Sequence, residues 1–264
     1  MNIREQVEDM EERTFTHGVV CHSFAAWTLW SPGYPAQGLA RSQEAVTLAQ
    51  QRAHPFSLAF ALSLTAQFHQ SRREERLTQE RAEVALSLAK EQGFPYWMAV
   101  SYLMRGWALA HQGQMKEGIE QMTQGLRAYR ATGAVALQPC FLALLAEAQG
   151  MIGQPEAGLT TLAEALALVD TTGERVYEPE LYRLKGILLL QQSLDNQAEA
   201  ESCFHHAIEI ARTQQAKSFE LRTATSLARL WQHQEKRQEA YDLLVPVYGW
   251  FTEGFDTVDL QENS

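Results

Sequence analysis

The sequence predicts an all-α protein, a solenoid of six helix-turn-helix repeats with a period of about 40 residues. Three observations carry this prediction. Small residues recur in three separate series, the three series shift by two residues at the same place, and apolar residues follow helical spacing without clusters of β-branched residues. Stacked repeats of this kind share one continuous core, so we expect a single domain.

The first series of small residues marks the first helix of each repeat, called helix A here. Its members lie 40 residues apart, with a last spacing of 42, and are Ala26, Ala66, Gly106, Ala146, Gly186 and Ala228. Two antiparallel helices can approach closely only where small residues lie at the crossing of their axes. We therefore expect each of these positions to face helix B, the second helix of the repeat.

Two further series mark helix B. They are Ala45, Ala85, Gly125, Ala165, Ala207 and Val247, and Gly38, Thr78, Gly118, Gly158, Ala200 and Ala240. Each again contains one spacing of 42 instead of 40, across the same stretch of chain. A two-residue insertion near positions 193–196 explains all three series.

These series place the six repeats within residues 17–252, with about thirteen helices and no sheet. Residues 1–16 are expected to form an N-terminal helical extension or the remnant of a preceding repeat, and residues 253–264 a C-terminal tail. An open stack exposes an apolar face at its last repeat, and something must cover it. We expect residues 249–255 to fold back onto the sixth helix pair, using an apolar set that consists of Val247, Trp250, Phe251 and Phe255.

The charge and hydropathy of the chain exclude several classes of function. The formal net charge is −10, whereas a nucleic-acid surface needs clustered Lys and Arg. No run of apolar residues is long enough to cross a membrane, and residues 1–15 lack the apolar core of a signal peptide. Three widely separated cysteines favour a reduced compartment, and we expect a cytoplasmic protein.

The sequence contains none of the short motifs that bind phosphate or metal or carry out catalysis, so we expect no enzyme activity, cofactor or metal. Cys203, His205 and His206 resemble a metal cluster most, but too few ligands share one helix face. The acidic residues Glu253, Asp256 and Asp259 are interpreted as a solvated segment, and most of the tryptophans as core residues.

The offsets between the small residues resemble those of the tetratricopeptide repeat, which implies a right-handed solenoid. Three stretches also resemble the C-terminal repeat region of large bacterial signalling proteins: residues 180–186 (ELYRLKG), 226–231 (SLARLW) and 245–257 (VPVYGWFTEGFDT). Those proteins combine a class III adenylate or guanylate cyclase, or a DNA-binding regulator domain, with an AAA-type ATPase. The resemblance implies a protein-interaction module coupled to such domains. Three alternatives remain: a free-standing scaffold, a piece of a polypeptide that is a cyclase or an ATPase-type transcriptional regulator, and a small-molecule sensor.

The same resemblance implies that helix A of each repeat lines a concave groove where partner peptides bind. The candidate groove residues are Trp27, Trp107, Arg183, Ile187, Arg222 and Arg229. Three arginines inside an acidic C-terminal half suggest an anionic ligand, such as an acidic protein segment. Alternatively, these arginines pair with Glu180, Glu220 and other acids within the solenoid.

Overall fold

Within the part of the chain that the structure describes, six antiparallel helix pairs are followed by one short helix. The structure, a computed structural model, describes residues 3–52 and 54–263, and their side chains from residue 17 onward. The helices are α1 (Ile3–Trp30), α2 (Pro35–Gln51), α3 (Pro55–Ser71), α4 (Glu75–Gln92), α5 (Pro95–His111), α6 (Met115–Ala131), α7 (Gln138–Met151), α8 (Pro155–Thr172), α9 (Glu178–Gln192), α10 (Gln197–Thr213), α11 (Lys217–His233), α12 (Arg237–Tyr248) and α13 (Val258–Gln261). No strand occurs among the described residues. The all-helical repeat fold is therefore confirmed.

The small residues lie at helix crossings, as predicted. A Cβ atom added to Gly106 of α5 would lie 2.7 Å from the backbone oxygen of Gly118 in α6. In the fifth pair, a Cβ atom on Gly186 would lie 2.6 Å from the ring of Phe204. The predicted insertion corresponds to a single turn of 3₁₀-helix, Leu194–Asn196, between α9 and α10.

The turn between helices A and B repeats the same backbone geometry. Gly33, Gly113 and Gly153 have positive φ angles of 101°, 90° and 74°, which glycine adopts without steric cost. Arg73 and Glu235 occupy the equivalent positions of the second and sixth repeats with φ of 61° and 64°. Non-glycine residues are strained in this conformation.

The A helices line the inside of the solenoid, where each contacts helix A of the next repeat. The solenoid curves so tightly that its first and last repeats touch. The backbone nitrogen of Ser218 in α11 donates to the oxygen of Ser31 at 3.0 Å. The rings of Trp30 and Phe219 also meet edge to face, with centroids 5.0 Å apart.

Residues 250–263, called the closing segment here, join the last repeat to the first. The indole of Trp250 donates to the carbonyl of Pro32 at 3.1 Å, and the carboxylate of Glu253 accepts from the backbone nitrogens of Ala36 and Gln37. Phe251 packs against Leu221 of the sixth pair. The segment thus folds back, as the sequence predicted, but it bridges two repeats.

Two details of the predicted C-terminal structure are wrong. The outer face of α12 is not covered, since Tyr241 is 63% exposed and Val245 47%. The acidic segment is not simply solvated, because Asp259 is only 9% exposed. Its carboxylate enters the solenoid and pairs there with arginines, which a lone acidic stretch of sequence does not reveal.

The proposed N-terminal extension, residues 1–16, lies outside the residues whose side chains are described. Among the described helices, none is both long and apolar enough to cross a lipid bilayer.

Candidate functional site

A polar chamber of about 190 Å³ lies at the centre of the solenoid, between the A helices and the closing segment. We call it the central chamber. Its walls consist of residues from five of the six repeats and from the closing segment: Gln70, Arg73, Trp107, His111, Glu147, Glu180, Arg183, Ile187, Arg222, Thr225, Ser226, Arg229, Asp259 and Glu262. Four arginines thus face four carboxylates around one cavity.

Arg183 lies on the wall that α9 forms. Its Nε and Nη2 atoms donate to the two carboxylate oxygens of Glu180 at 2.8 and 2.6 Å. This fork-shaped pairing is the geometry in which arginine binds a carboxylate most strongly. The guanidinium also lies 4.0 Å from Glu147 of α7, and the residue is 7% exposed. Arg183 is therefore fixed by the solenoid itself.

Arg222 of α11 connects three parts of the molecule. Its Nε atom donates to both carboxylate oxygens of Asp259 at 3.2 Å, and its Nη2 atom donates to the carbonyl of Ser71 at the end of α3 at 2.9 Å. The guanidinium lies over the ring of Trp30, 5.5 Å from its centroid. One buried side chain thus joins the second repeat, the sixth repeat and the closing segment.

Two partly exposed arginines hold the end of the closing segment. Arg73 donates to Asp259 at 3.3 Å and to Glu262 at 3.1 Å. Arg229 donates to Glu262 at 3.1 Å, and its side chain is 58% exposed. Thr225 adds a hydrogen bond to Asn263 at 3.0 Å. These contacts form the mouth of the central chamber, where solvent reaches the ion pairs.

Glu147 forms the opposite wall with two rings of α5. The indole of Trp107 donates to its carboxylate at 3.4 Å, and Nε2 of His111 lies at the same distance. Burial alone would raise the pKa of Glu147, but His111 and Arg183 outweigh burial and hold the pKa at about 2. Glu147 is therefore ionised throughout the physiological range.

The pKa of Asp259 is likewise set by burial on one side and by neighbouring positive charges on the other. Burial acts to raise the pKa of its carboxyl, but Arg222 and then Arg73 outweigh that effect and lower the pKa below the ordinary value of 3.8. In turn, burial would lower the pKa of Arg222, and Asp259 and Glu180 raise it instead. Both members of this buried pair are charged near neutral pH.

The structure brings five of the six candidate groove residues together. Trp107, Arg183, Ile187, Arg222 and Arg229 all line the central chamber. Trp27 does not belong to its lining. Its ring packs against the ring of Tyr177, with centroids 5.4 Å apart, in the aromatic contact between the first and later repeats.

The sequence also suggested that the groove arginines pair with Glu180 and Glu220. This pairing is found for Glu180 and not for Glu220. Glu180 pairs with Arg183 and lies 3.7 Å from Arg222. Glu220 instead pairs with Arg212 and Lys217, outside the central chamber. Sequence reasoning missed Arg73, Asp259 and Glu262 as chamber residues. One signal for Arg73 was available in the sequence. It lies 40 residues from both Gly33 and Gly113, which places it at the turn between helices A and B, where the first and third repeats have glycine.

The histidines and cysteine considered as metal ligands have other partners. His205 lies 3.8 Å from Glu201, and the ring of His206 packs on Tyr182. Cys203 is buried in the fifth pair, and all three cysteines are free. Within the described part of the chain, no group of three or more His, Cys, Asp or Glu residues is arranged to hold a metal ion.

This architecture is that of the tetratricopeptide-like helical repeat proteins. No family model matches the chain, and no curated protein matches it. Solved structures do. Aspartyl phosphate phosphatase F from Bacillus subtilis matches 93% of this chain with a TM-score of 0.64 and 13% identity, and the chain spans 61% of that protein.

Two further structures have the same fold. One is a Rap protein complexed with competence and sporulation factor, with a TM-score of 0.65 and 12% identity over 93% of this chain and 71% of that one. The other is a signal transduction ATPase with numerous domains from Pyrococcus horikoshii, which has a tetratricopeptide repeat sensor. Its TM-score is 0.55 at 12% identity, over 96% of this chain and 43% of that one. Identities this low show a shared fold alone.

Proposed function

We propose that this chain is a protein-interaction repeat module that binds an acidic protein segment or peptide in the central chamber. The observation that carries the proposal is the arginine wall of the A helices, with Arg222 and Arg229 already holding the carboxylates of Asp259 and Glu262. Fork-shaped guanidinium groups in a partly buried site suit recognition of carboxylates. Ile187 adds an apolar contact beside them.

The similar structures support a binding and sensing role for this fold. The Rap protein is bound to a competence and sporulation factor, and the Pyrococcus protein uses its tetratricopeptide repeats as the sensor of an ATPase. By analogy, this module senses a partner and relays binding to catalytic domains, of the ATPase or cyclase type, elsewhere in the same protein or its complex. A free-standing scaffold is the second candidate.

The chain itself is proposed to be non-catalytic. Every carboxylate of the central chamber lies within 4.0 Å of an arginine, and none is left to act as a general base. The sequence has no phosphate-binding loop either. Turnover of nucleotides by the parent protein would therefore reside in other domains.

An unbiased peptide selection tests this proposal. The full chain is screened against a random peptide library, and selected peptides are measured by calorimetry against Arg229→Gln and Arg41→Gln variants. Each of the two arginines is about half exposed and forms an ion pair with one carboxylate, Arg229 with Glu262 and Arg41 with Glu44. Only Arg229 borders the central chamber. The proposal expects peptides that lose affinity with Arg229→Gln only. A selection that yields only peptides indifferent to Arg229, or only nucleotide ligands in a parallel titration, would contradict it.

A further inference from the structure

We infer that the ligand of the central chamber carries two carboxylates one helical turn apart, in the pattern Asp-x-x-Glu, and takes the place that Asp259 and Glu262 occupy in this structure. The inference rests on the proposed function and specifies the ligand class of the same site. In this view residues 257–263 are a built-in occupant, and an external segment of the same chemistry displaces them.

The spacing of the two carboxylates fits the positions of the arginines. Asp259 lies in α13, and Glu262 follows it with helical backbone angles of φ −64° and ψ −14°. Residues three apart on a helix lie on one face, so both carboxylates point into the same site. Asp259 meets Arg222 and Arg73, while Glu262 meets Arg73 and Arg229. Arg73 therefore forms ion pairs with both carboxylates.

The charge of the central chamber requires an anionic occupant. With Asp259 and Glu262 in place, four arginines face four carboxylates. Without them, the same four arginines would face only Glu147 and Glu180. Removing the partner of a buried charge is strongly unfavourable, so the vacated chamber would attract a replacement of like charge and spacing.

The closing segment is attached in two separate parts. Residues 250–256 are fixed to the first two repeats, where Trp250 bonds to Pro32, Glu253 to the start of α2, and Asp256 to Arg72 at 3.0 Å. In the second part, residues 257–263, Asp259 and Glu262 line the central chamber, and Leu260 is buried in an apolar cluster with Phe251, Val247 and Leu221. The first part can stay bound while the second is exchanged. A tethered occupant competes at high effective concentration, so weakening it should expose the affinity of the site for a free peptide.

A pair of matched variants isolates this competition. Asp259→Asn with Glu262→Gln removes the two chamber carboxylates with little change of shape. Glu239→Gln with Asp242→Asn removes two carboxylates at the same spacing on the exposed face of α12, outside the central chamber. Both full-length variants carry the same change in net charge, so a general electrostatic effect would appear in both.

The probe is a fluorescein-labelled peptide with the sequence of residues 257–263, and its counterpart carries Asn and Gln at the positions of Asp259 and Glu262. We expect the chamber variant to bind the acidic peptide at least about tenfold more tightly than the unsubstituted chain, because its own segment occupies the site less of the time. The α12 variant should match the unsubstituted chain. The Asn/Gln peptide should bind neither variant measurably.

Hydrogen exchange of residues 257–263, followed by mass spectrometry, reports release of the segment in the same samples. Faster exchange in the chamber variant without tighter peptide binding would overturn the inference. Unchanged exchange would overturn it too, since the two carboxylates would then not hold the segment. Peptides selected from the library that depend on Arg229 but lack the Asp-x-x-Glu pattern would refute this ligand class while leaving the proposed function standing.

Discussion

Arg222 of α11 and Asp259 of α13 form a buried ion pair that joins the last repeat to the closing segment, with both side chains about 10% exposed. The same guanidinium donates to the carbonyl of Ser71 from the second repeat. The pair therefore links distant parts of the solenoid as well as occupying the site where a partner would bind. This double role has consequences for stability, for pH dependence and for binding.

Replacing Asp259 with Asn should destabilise the fold. Arg222 and Arg73 would lose their shared carboxylate, and breaking a buried pair costs about 3–5 kcal/mol. We expect the low end, because Glu180 remains 3.7 Å from Arg222. Urea unfolding measures the change. Asp242→Asn, on the exposed face of α12, should stay within about 0.5 kcal/mol. Equal effects of the two substitutions would contradict the role given to Asp259.

Acid should abolish the contribution of the Asp259 ion pair. The folded-state pKa of Asp259 lies below its ordinary value of 3.8, so the unfolded chain takes up the proton first as the pH falls. The stabilisation is then complete well above pH 3.8 and is lost as the pH falls through the lower, folded-state pKa. We expect the difference in unfolding free energy between the unsubstituted chain and Asp259→Asn to be constant from pH 8 to about pH 5. It should shrink below pH 4, and a difference that grows with acid would contradict this assignment.

The helix crossings predict opposite effects for two glycines. A side chain on Gly106 would meet the backbone of Gly118, which cannot move aside, so Gly106→Leu should cost about 1–3 kcal/mol or more. Gly18 of α1 has only a methyl group of Leu48 nearby, at 3.7 Å. Gly18→Ala should therefore stabilise the helix by about 0.5–1 kcal/mol. Thermal unfolding of both variants checks the pair, and a neutral Gly106→Leu would mean that α5 and α6 do not cross there.

The fold could be predicted from the sequence because equivalent positions of successive repeats carry the same type of residue. Close crossings demand small residues, and Ala26 or Gly186 can be recognised by position alone. The wall of the central chamber, with Arg183 and Arg222, was named from the resemblance to tetratricopeptide repeats, which implies that helix A lines the concave face. Asp259 lies outside any repeat, and no periodicity predicts where it docks.

The remaining parts of the site depend on how tightly the solenoid curves. Nothing in the sequence indicates that Ser218 meets Ser31, which lies in the first repeat. That closure brings the turn residue Arg73 to the same cavity as Arg229. Long-range contacts of this kind come from the sum of small rotations between neighbouring repeats, which local sequence patterns do not encode.

A double-mutant cycle between Arg229 and the ligand tests the central claim, that this arginine wall recognises carboxylates, most directly. The measurement is the dissociation constant of a peptide of residues 257–263 that carries either Glu or Arg at the position of Glu262. It is measured for the chain with Asp259→Asn and Glu262→Gln, with and without the further substitution Arg229→Glu. Arg229 is largely exposed, so its replacement should not disturb the fold.

We predict that the chain with Arg229 prefers the Glu peptide and that Arg229→Glu weakens this preference, with a coupling energy of about 0.5–3 kcal/mol. Arg73 also contacts this position and continues to favour Glu. Identical preferences of both chains for the two peptides would contradict recognition of the ligand by Arg229.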